Sequence, residues 1–208
     1  MEASSTLETD LERVRSLWDS EGRISLTECQ WSLIKSYSNL LYEASFKLNL
    51  VSPADRDLLV SRHIWRALSM GPHIDLIPNK IILDVGSGSG IPAIPLKIYH
   101  PMSRFYLVES RRKRANFLKS VIRKLHLKKI TVINSRVEDW DDDVVADVVT
   151  SRSVANPIAL RNWVANHVHK KSMLVCTLNK LGKVGIEGAK DILLESGKEA
   201  MRLGIIPL

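Results

Sequence analysis

The stretch Asp84-Val85-Gly86-Ser87-Gly88-Ser89-Gly90 constrains this chain more than any other. It ends the short apolar run Ile81-Ile82-Leu83-Asp84-Val85 and precedes a segment, Pro92 to His100, that reads as helix. Glycines at such a junction allow a tight turn and let backbone N–H groups approach a ligand closely. Continuous apolar runs recur at Phe105-Tyr106-Leu107-Val108, Ile130-Thr131-Val132-Ile133, Val144 to Val149 and Met173 to Leu178. Runs of this kind suit strands buried on both faces. Between the second and third, Arg111 to Leu125 carries apolar residues at helical spacing. Strands alternating with helices predict βαβ units and an α/β fold: a doubly wound, mostly parallel sheet.

The first seventy-odd residues lack that alternation. Leu7, Leu11, Val14, Leu17 and Trp18 recur at helical spacing. Thr27 followed by Gln30 reads as a capping box ahead of a second helix through Leu33, Ile34, Tyr37, Leu40, Leu41 and Ala44. Ser52-Pro53-Ala54-Asp55 opens a third, running to about Ser69 before Gly71-Pro72. The expected organisation is an N-terminal helical cap over residues 1–72 and a Rossmann-like domain over 73–208. The cysteines, Cys29 and Cys176, are far apart, so neither a disulfide framework nor a zinc knuckle is available and both read as small core residues. No metal site is expected. The five tryptophans read as packing residues. No apolar stretch approaches the length of a membrane span and no signal region precedes the first helix, which predicts a soluble cytoplasmic protein.

Loop chemistry narrows the ligand. A dinucleotide fingerprint seats a pyrophosphate on a third glycine and a helix N-terminus. Here the spacing is G-x-G-x-G, Ile91 follows, and Pro92 removes a backbone donor. No Gly-Lys-Ser/Thr completes a P-loop. Asp84 would repel a pyrophosphate but suits a cation, and Glu109, about 20 residues after the loop, suits ribose hydroxyls. S-adenosylmethionine meets these requirements, being cationic and free of phosphate. A nicotinamide cofactor is the rival. Glu138 or Asp139, after the third strand, is a candidate acceptor for an adenine amino group, or else a loop charge.

Thirty Lys+Arg against 23 Asp+Glu give a net charge of +7, which suits a polyanionic partner. Arg111-Arg112-Lys113-Arg114 opens the helix after Glu109, while Ala115, Leu118, Val121, Ile122 and Leu125 form its apolar stripe. The cations should therefore project away from the sheet. Positive charge at a helix N-terminus opposes the macrodipole, at a cost of up to about 1 kcal/mol. Phosphate binding is the functional reading and a solvated face the bland one. Arg136 and Arg152 end strands three and four, where a doubly wound sheet opens its ligand crevice. A nucleophile with its base, or a paired-carboxylate site, is not recognisable in this region.

Taken together, these residues resemble the RsmG/GidB family of bacterial 16S rRNA guanine-N7 methyltransferases. The likeness runs from about Ile24 to Leu178. It includes Leu48-Asn49-Leu50, Arg62-His63-Ile64, the loop with Ile91-Pro92-Ala93-Ile94-Pro95-Leu96, Glu109-Ser110, Ser135-Arg136-Val137-Glu138 and Ser151-Arg152. The resemblance implies a class I, Rossmann-like methyltransferase acting on 16S rRNA or the small ribosomal subunit. It implies a cofactor site lined by Gly86, Ile91, Val137, Glu138 and Arg152, beside Asp84, Gly88, Gly90 and Glu109, with Arg136 and Arg152 toward RNA or cofactor. Arg111, Arg112, Lys113 and Arg114 are the remaining candidates for RNA contact. No catalytic residue beyond positioning groups is implied, with Arg136 and Arg152 the candidates.

Departures from the family pattern are also visible. Arg66 and Ala67 stand where the family usually has an acid and a serine; the family's lysine after strand five is displaced, with Asn179 and Lys180 the candidates for its place and the role assigned to neither. The family's closing hairpin reads as cut short at Leu203 to Leu208, so its last strand is expected to be missing, with an apolar edge exposed. A monomer is expected, edge pairing at that end being the alternative. Two other functions stay open: a methyltransferase for a small molecule or protein, and a non-catalytic RNA-binding module with the same fold.

Overall fold

Seven strands build one sheet in the order β3-β2-β1-β4-β5-β7-β6 in the computed structural model, which describes residues 2–21, 26–74, 80–152, 157–178, 188–196 and 199–208. The strands are β1 (Ile81–Val85), β2 (Arg104–Val108), β3 (Ile130–Ile133), β4 (Ala146–Ser151), β5 (Val168–Leu178), β6 (Lys190–Ser196) and β7 (Glu199–Pro207). The first five pair in parallel. The helices are α1 (Glu2–Glu21), α2 (Glu28–Leu48), α3 (Trp65–Leu68), α4 (Gly71–Ile74), α5 (Ala93–Tyr99), α6 (Arg112–Lys124) and α7 (Pro157–Trp163). None of the described helices is long and apolar enough to cross a membrane.

The apolar runs of the strands are continuous because both faces are covered. Ile82, Phe105, Leu107, Val148 and Val175 face the layer built by α1 to α6. Leu83, Val85, Val108, Val149 and Leu174 face the opposite way, toward Leu160 and Val164. The two sets alternate along each strand as the pleat requires. Leu7, Leu11, Val14 and Trp18 turn α1 into the core. The capping box forms: Gln30 N–H donates to Thr27 Oγ1 at 3.2 Å, and Thr27 N–H to Gln30 Oε1 at 2.9 Å. Gln30 Nε2 then donates to the Ile98 carbonyl at 2.9 Å, tying α2 to the end of α5.

Four expectations need correction. The third helix is not continuous: a 3-10 turn (Pro53–Leu58) and a π-helical turn (Val60–Ile64) precede α3. Asp10, buried on α1, accepts the N–H groups of Val60 and Ser61 at 2.9 and 3.0 Å, drawing them from the α-helical ladder. The fourth strand starts at Ala146 rather than Val144, because the Val144 N–H bonds to Asp142 Oδ1 and its carbonyl meets His167 Nδ1. Cys29 is exposed, on the outer face of α2, whereas Cys176 is buried.

The fourth correction concerns the expected loss of the last strand. β7 inserts between β5 and β6, antiparallel to both, so the edge of β5 is covered and β6 becomes the rim. Met201, Leu203 and Ile206 are buried by this insertion, and Arg202 pairs with Asp191 across the hairpin. The apolar tail reads from sequence as an open end because the strand that covers it is its own hairpin neighbour.

Candidate active site

The sheet order reverses at β1, with β2 and β3 to one side and β4 and β5 to the other. Crevices at such a switch point, outside the carboxyl ends of the strands, are where open α/β sheets bind ligands. Asp84 near the end of β1, Glu109 just past β2 and Arg152 just past β4 converge there because the strands are parallel and in register: Asp84 pairs with Leu107 and with Thr150.

The glycine loop is anchored rather than free. Gly86 and Ser87 both donate N–H groups to the Val108 carbonyl, at 2.9 and 3.1 Å. Gly88 donates to Glu109 Oε2 at 2.8 Å, while Glu109 Oε1 accepts the Arg111 N–H at 2.7 Å. One carboxylate thus holds both the loop and the start of α6. Asn134 Nδ2 donates to the Glu109 carbonyl at 2.8 Å, fixing the backbone behind it. Gly88 has φ +52°, a conformation costly for any residue with a Cβ. Gly90 serves packing: a Cβ there would lie 2.7 Å from Ile94 and 3.2 Å from the Tyr37 hydroxyl.

Asp84 is 1% exposed, and its Oδ1 accepts from the Thr150 hydroxyl at 2.7 Å. Its Oδ2 is buried with no partner among the described residues. Burial raises its pKa to about 6, opposed by the Thr150 and Ser87 hydroxyls and by Arg152, and reinforced by Glu109. A carboxylate this deeply buried, and largely ionised near neutral pH, favours a cation close by.

Arg152 is half-buried and faces the loop: Nη2 donates to Ser89 Oγ at 3.3 Å and Nη1 contacts His63 Nδ1 at 2.8 Å. Burial lowers its pKa, and Tyr37 and Asp84 oppose that. The Tyr37 phenol donates to the Ser89 carbonyl at 2.8 Å, and burial pushes its pKa well up. Ile91 is buried in the helical-side core, and Val137 in the core of the other face. Glu138, Asp139 and Arg136 are exposed.

Arg111, Arg112 and Lys113 are exposed as expected for a basic helix face. Arg114 departs from that picture. It turns back, with Nη2 donating to the Asn49 carbonyl at 3.2 Å and Nη1 lying 3.8 Å from where a Cβ on Gly88 would be. Ser153, Asn179 and Lys180 lie outside the described residues. Tyr37, His63 and Thr150 carry no role by sequence alone, yet all three reach the site. The Arg-His step and the Thr-Ser-Arg step are the only local signals that mark the last two. Tyr37 reads as one more apolar position of α2.

A family model described as GidB, rRNA small subunit methyltransferase G, matches residues 30–196. A protein from Aeromonas salmonicida named ribosomal RNA small subunit methyltransferase G is 35% identical over 153 residues, 74% of this chain and 72% of that protein. One of the same name from Chlorobaculum tepidum is 32% identical over 187 residues, 90% and 84% of the two chains. Among solved structures, a SAM dependent methyltransferase from Aquifex aeolicus superposes with a TM-score of 0.56, covering 82% of this chain and 98% of its own, at 15% identity. That likeness establishes the class of fold.

Proposed function

Since this chain belongs to the GidB family, rRNA small subunit methyltransferase G, we infer that it methylates guanine N7 in 16S ribosomal RNA, with S-adenosylmethionine as donor. The observation that carries the cofactor reading is the buried Asp84 carboxylate, whose unpartnered Oδ2 lies beside a glycine loop held by Glu109. Those groups fit S-adenosylmethionine. It is cationic, which suits Asp84, and its ribose hydroxyls suit the lone pairs that Glu109 keeps beyond its two backbone bonds. Gly86 and Gly88 leave room for close approach, and Val137 and Glu138 complete the proposed adenine side. Bound there, S-adenosylmethionine supplies an electrophilic methyl carbon on a sulfonium.

Guanine N7 carries an in-plane lone pair and no proton. The residues at the site therefore need to align the base rather than deprotonate it. Alignment of two reactants can supply on the order of 7–11 kcal/mol. Arg152 is the proposed aligning group, because its guanidinium stands at the loop and presents a planar donor fork. Arg136, exposed past β3, and the exposed Arg111, Arg112 and Lys113 supply the proposed phosphate contacts. A monomer acting in the cytoplasm completes the proposal.

The test is incubation of the chain with S-adenosylmethionine and unmethylated 16S rRNA or small subunits, followed by borohydride–aniline cleavage. Strand scission at one guanine is the expected result. Methyl incorporation at another atom, or none with either substrate, would overturn the reading.

A further inference from the structure

We propose that His63 is a positioning residue whose Nδ1 lone pair holds the Arg152 guanidinium at the glycine loop. This rests on the methyltransferase reading of that site. An arginine can only donate, so the 2.8 Å contact between Arg152 Nη1 and His63 Nδ1 makes Nδ1 the acceptor and puts the ring proton on Nε2.

The surroundings agree with that tautomer. Nε2 faces Asp55 Oδ2 at 3.6 Å, too long for a hydrogen bond but close enough to orient the ring. Asp55 is itself fixed, accepting from Arg62 Nη1 at 2.7 Å and Ser52 Oγ at 2.7 Å. The chain Ser52–Asp55–His63–Arg152–Ser89 therefore runs from the start of the 3-10 turn to the cofactor loop.

The charges around His63 favour the neutral ring. Arg152 from the end of β4 and Arg66 from α3 disfavour a charged ring, against Asp55, whose own charge is shared with Arg62. Burial and Arg152 lower the His63 pKa to about 4. Protonation would set two cations in contact and release the arginine. Near neutral pH the ring is an acceptor, and the guanidinium is held ready instead of being ordered when ligands bind.

Two measurements on the full chain test this. First, ¹⁵N spectra of the histidine rings at pH 7 should show His63 as the Nε2–H tautomer. An Nδ1–H tautomer or an imidazolium would overturn the proposal, and neither depends on any cofactor. Second, His63→Leu and Arg152→Leu should each reduce kcat/KM for rRNA methylation by about tenfold or more, as expected for loss of a charged hydrogen bond. The double variant should lose no more than the worse single one. His63→Asn, whose amide oxygen can stand in for Nδ1, should recover most of the activity. Additive losses, or no recovery with asparagine in a folded variant, would refute the positioning role. A wild-type chain inactive on every rRNA substrate would refute the methyltransferase reading while the ring spectra still decide the contact.

Discussion

Gly88 donates its backbone N–H to Glu109 Oε2 at 2.8 Å, across 21 positions of sequence. Through that bond the acid proposed for the ribose also sets the shape of the loop proposed for the rest of the cofactor. Glu109 Oε1 holds Arg111 N–H at the start of α6, so the same side chain joins the cofactor crevice to the basic helix.

Glu109→Gln keeps the length but replaces one acceptor with a donor facing an N–H. S-adenosylmethionine affinity should fall about 10- to 100-fold by calorimetry, the equivalent of one charged hydrogen bond. Gly88→Val meets the positive φ of +52° and should abolish cofactor binding while the far-ultraviolet spectrum of the fold persists. Binding by the Gly88 variant within twofold of wild type would exclude the loop as the cradle.

Asp84 pits stability against function. Its folded-state pKa, about 6, lies above the value of 3.8 for a free carboxyl. The folded chain therefore binds the proton more tightly, and stability falls as pH rises from about 4 through 6. The cost at pH 8 is up to about 3 kcal/mol, at 1.36 kcal/mol per unit. Asp84→Asn should escape this cost, less what its unpaired amide loses. It should unfold at equal or higher denaturant than wild type at pH 8, with no such advantage at pH 4. The same variant should lose S-adenosylmethionine, and wild-type affinity should weaken as pH drops below 6. An unchanged Kd from pH 8 to pH 5 would remove Asp84 from the cofactor's cationic contacts.

The basic face of α6 should act on RNA alone. Each phosphate contact to single-stranded RNA contributes about 0.7 to the slope of log K against log salt. Arg111→Ala with Arg112→Ala should therefore flatten that slope by about 1 to 1.5, leaving S-adenosylmethionine affinity within twofold. Relieving charge at the positive end of α6 favours the helix, so the variant should remain folded. A salt slope identical to wild type would assign these side chains to solvent.

The alternation of strand and helix, the capping box at Thr27 and Gln30, the glycine loop and the acids at the ends of β1 and β2 are all legible in the sequence. Each depends on neighbours within a few residues: a buried strand needs an apolar run, a tight turn needs glycine, and a parallel sheet brings its strand ends to one side. What joins distant segments is not legible. No local pattern announces that Asp10 breaks the helix at Val60, that Arg114 folds back to Asn49, or that β7 slips between β5 and β6. Nor does it announce that Tyr37 and His63 reach the loop at Ser89 and Arg152. Those choices were made by burial and by pairing polar groups that packing had taken from water, and such energies exist only once the helical layer is set against the sheet.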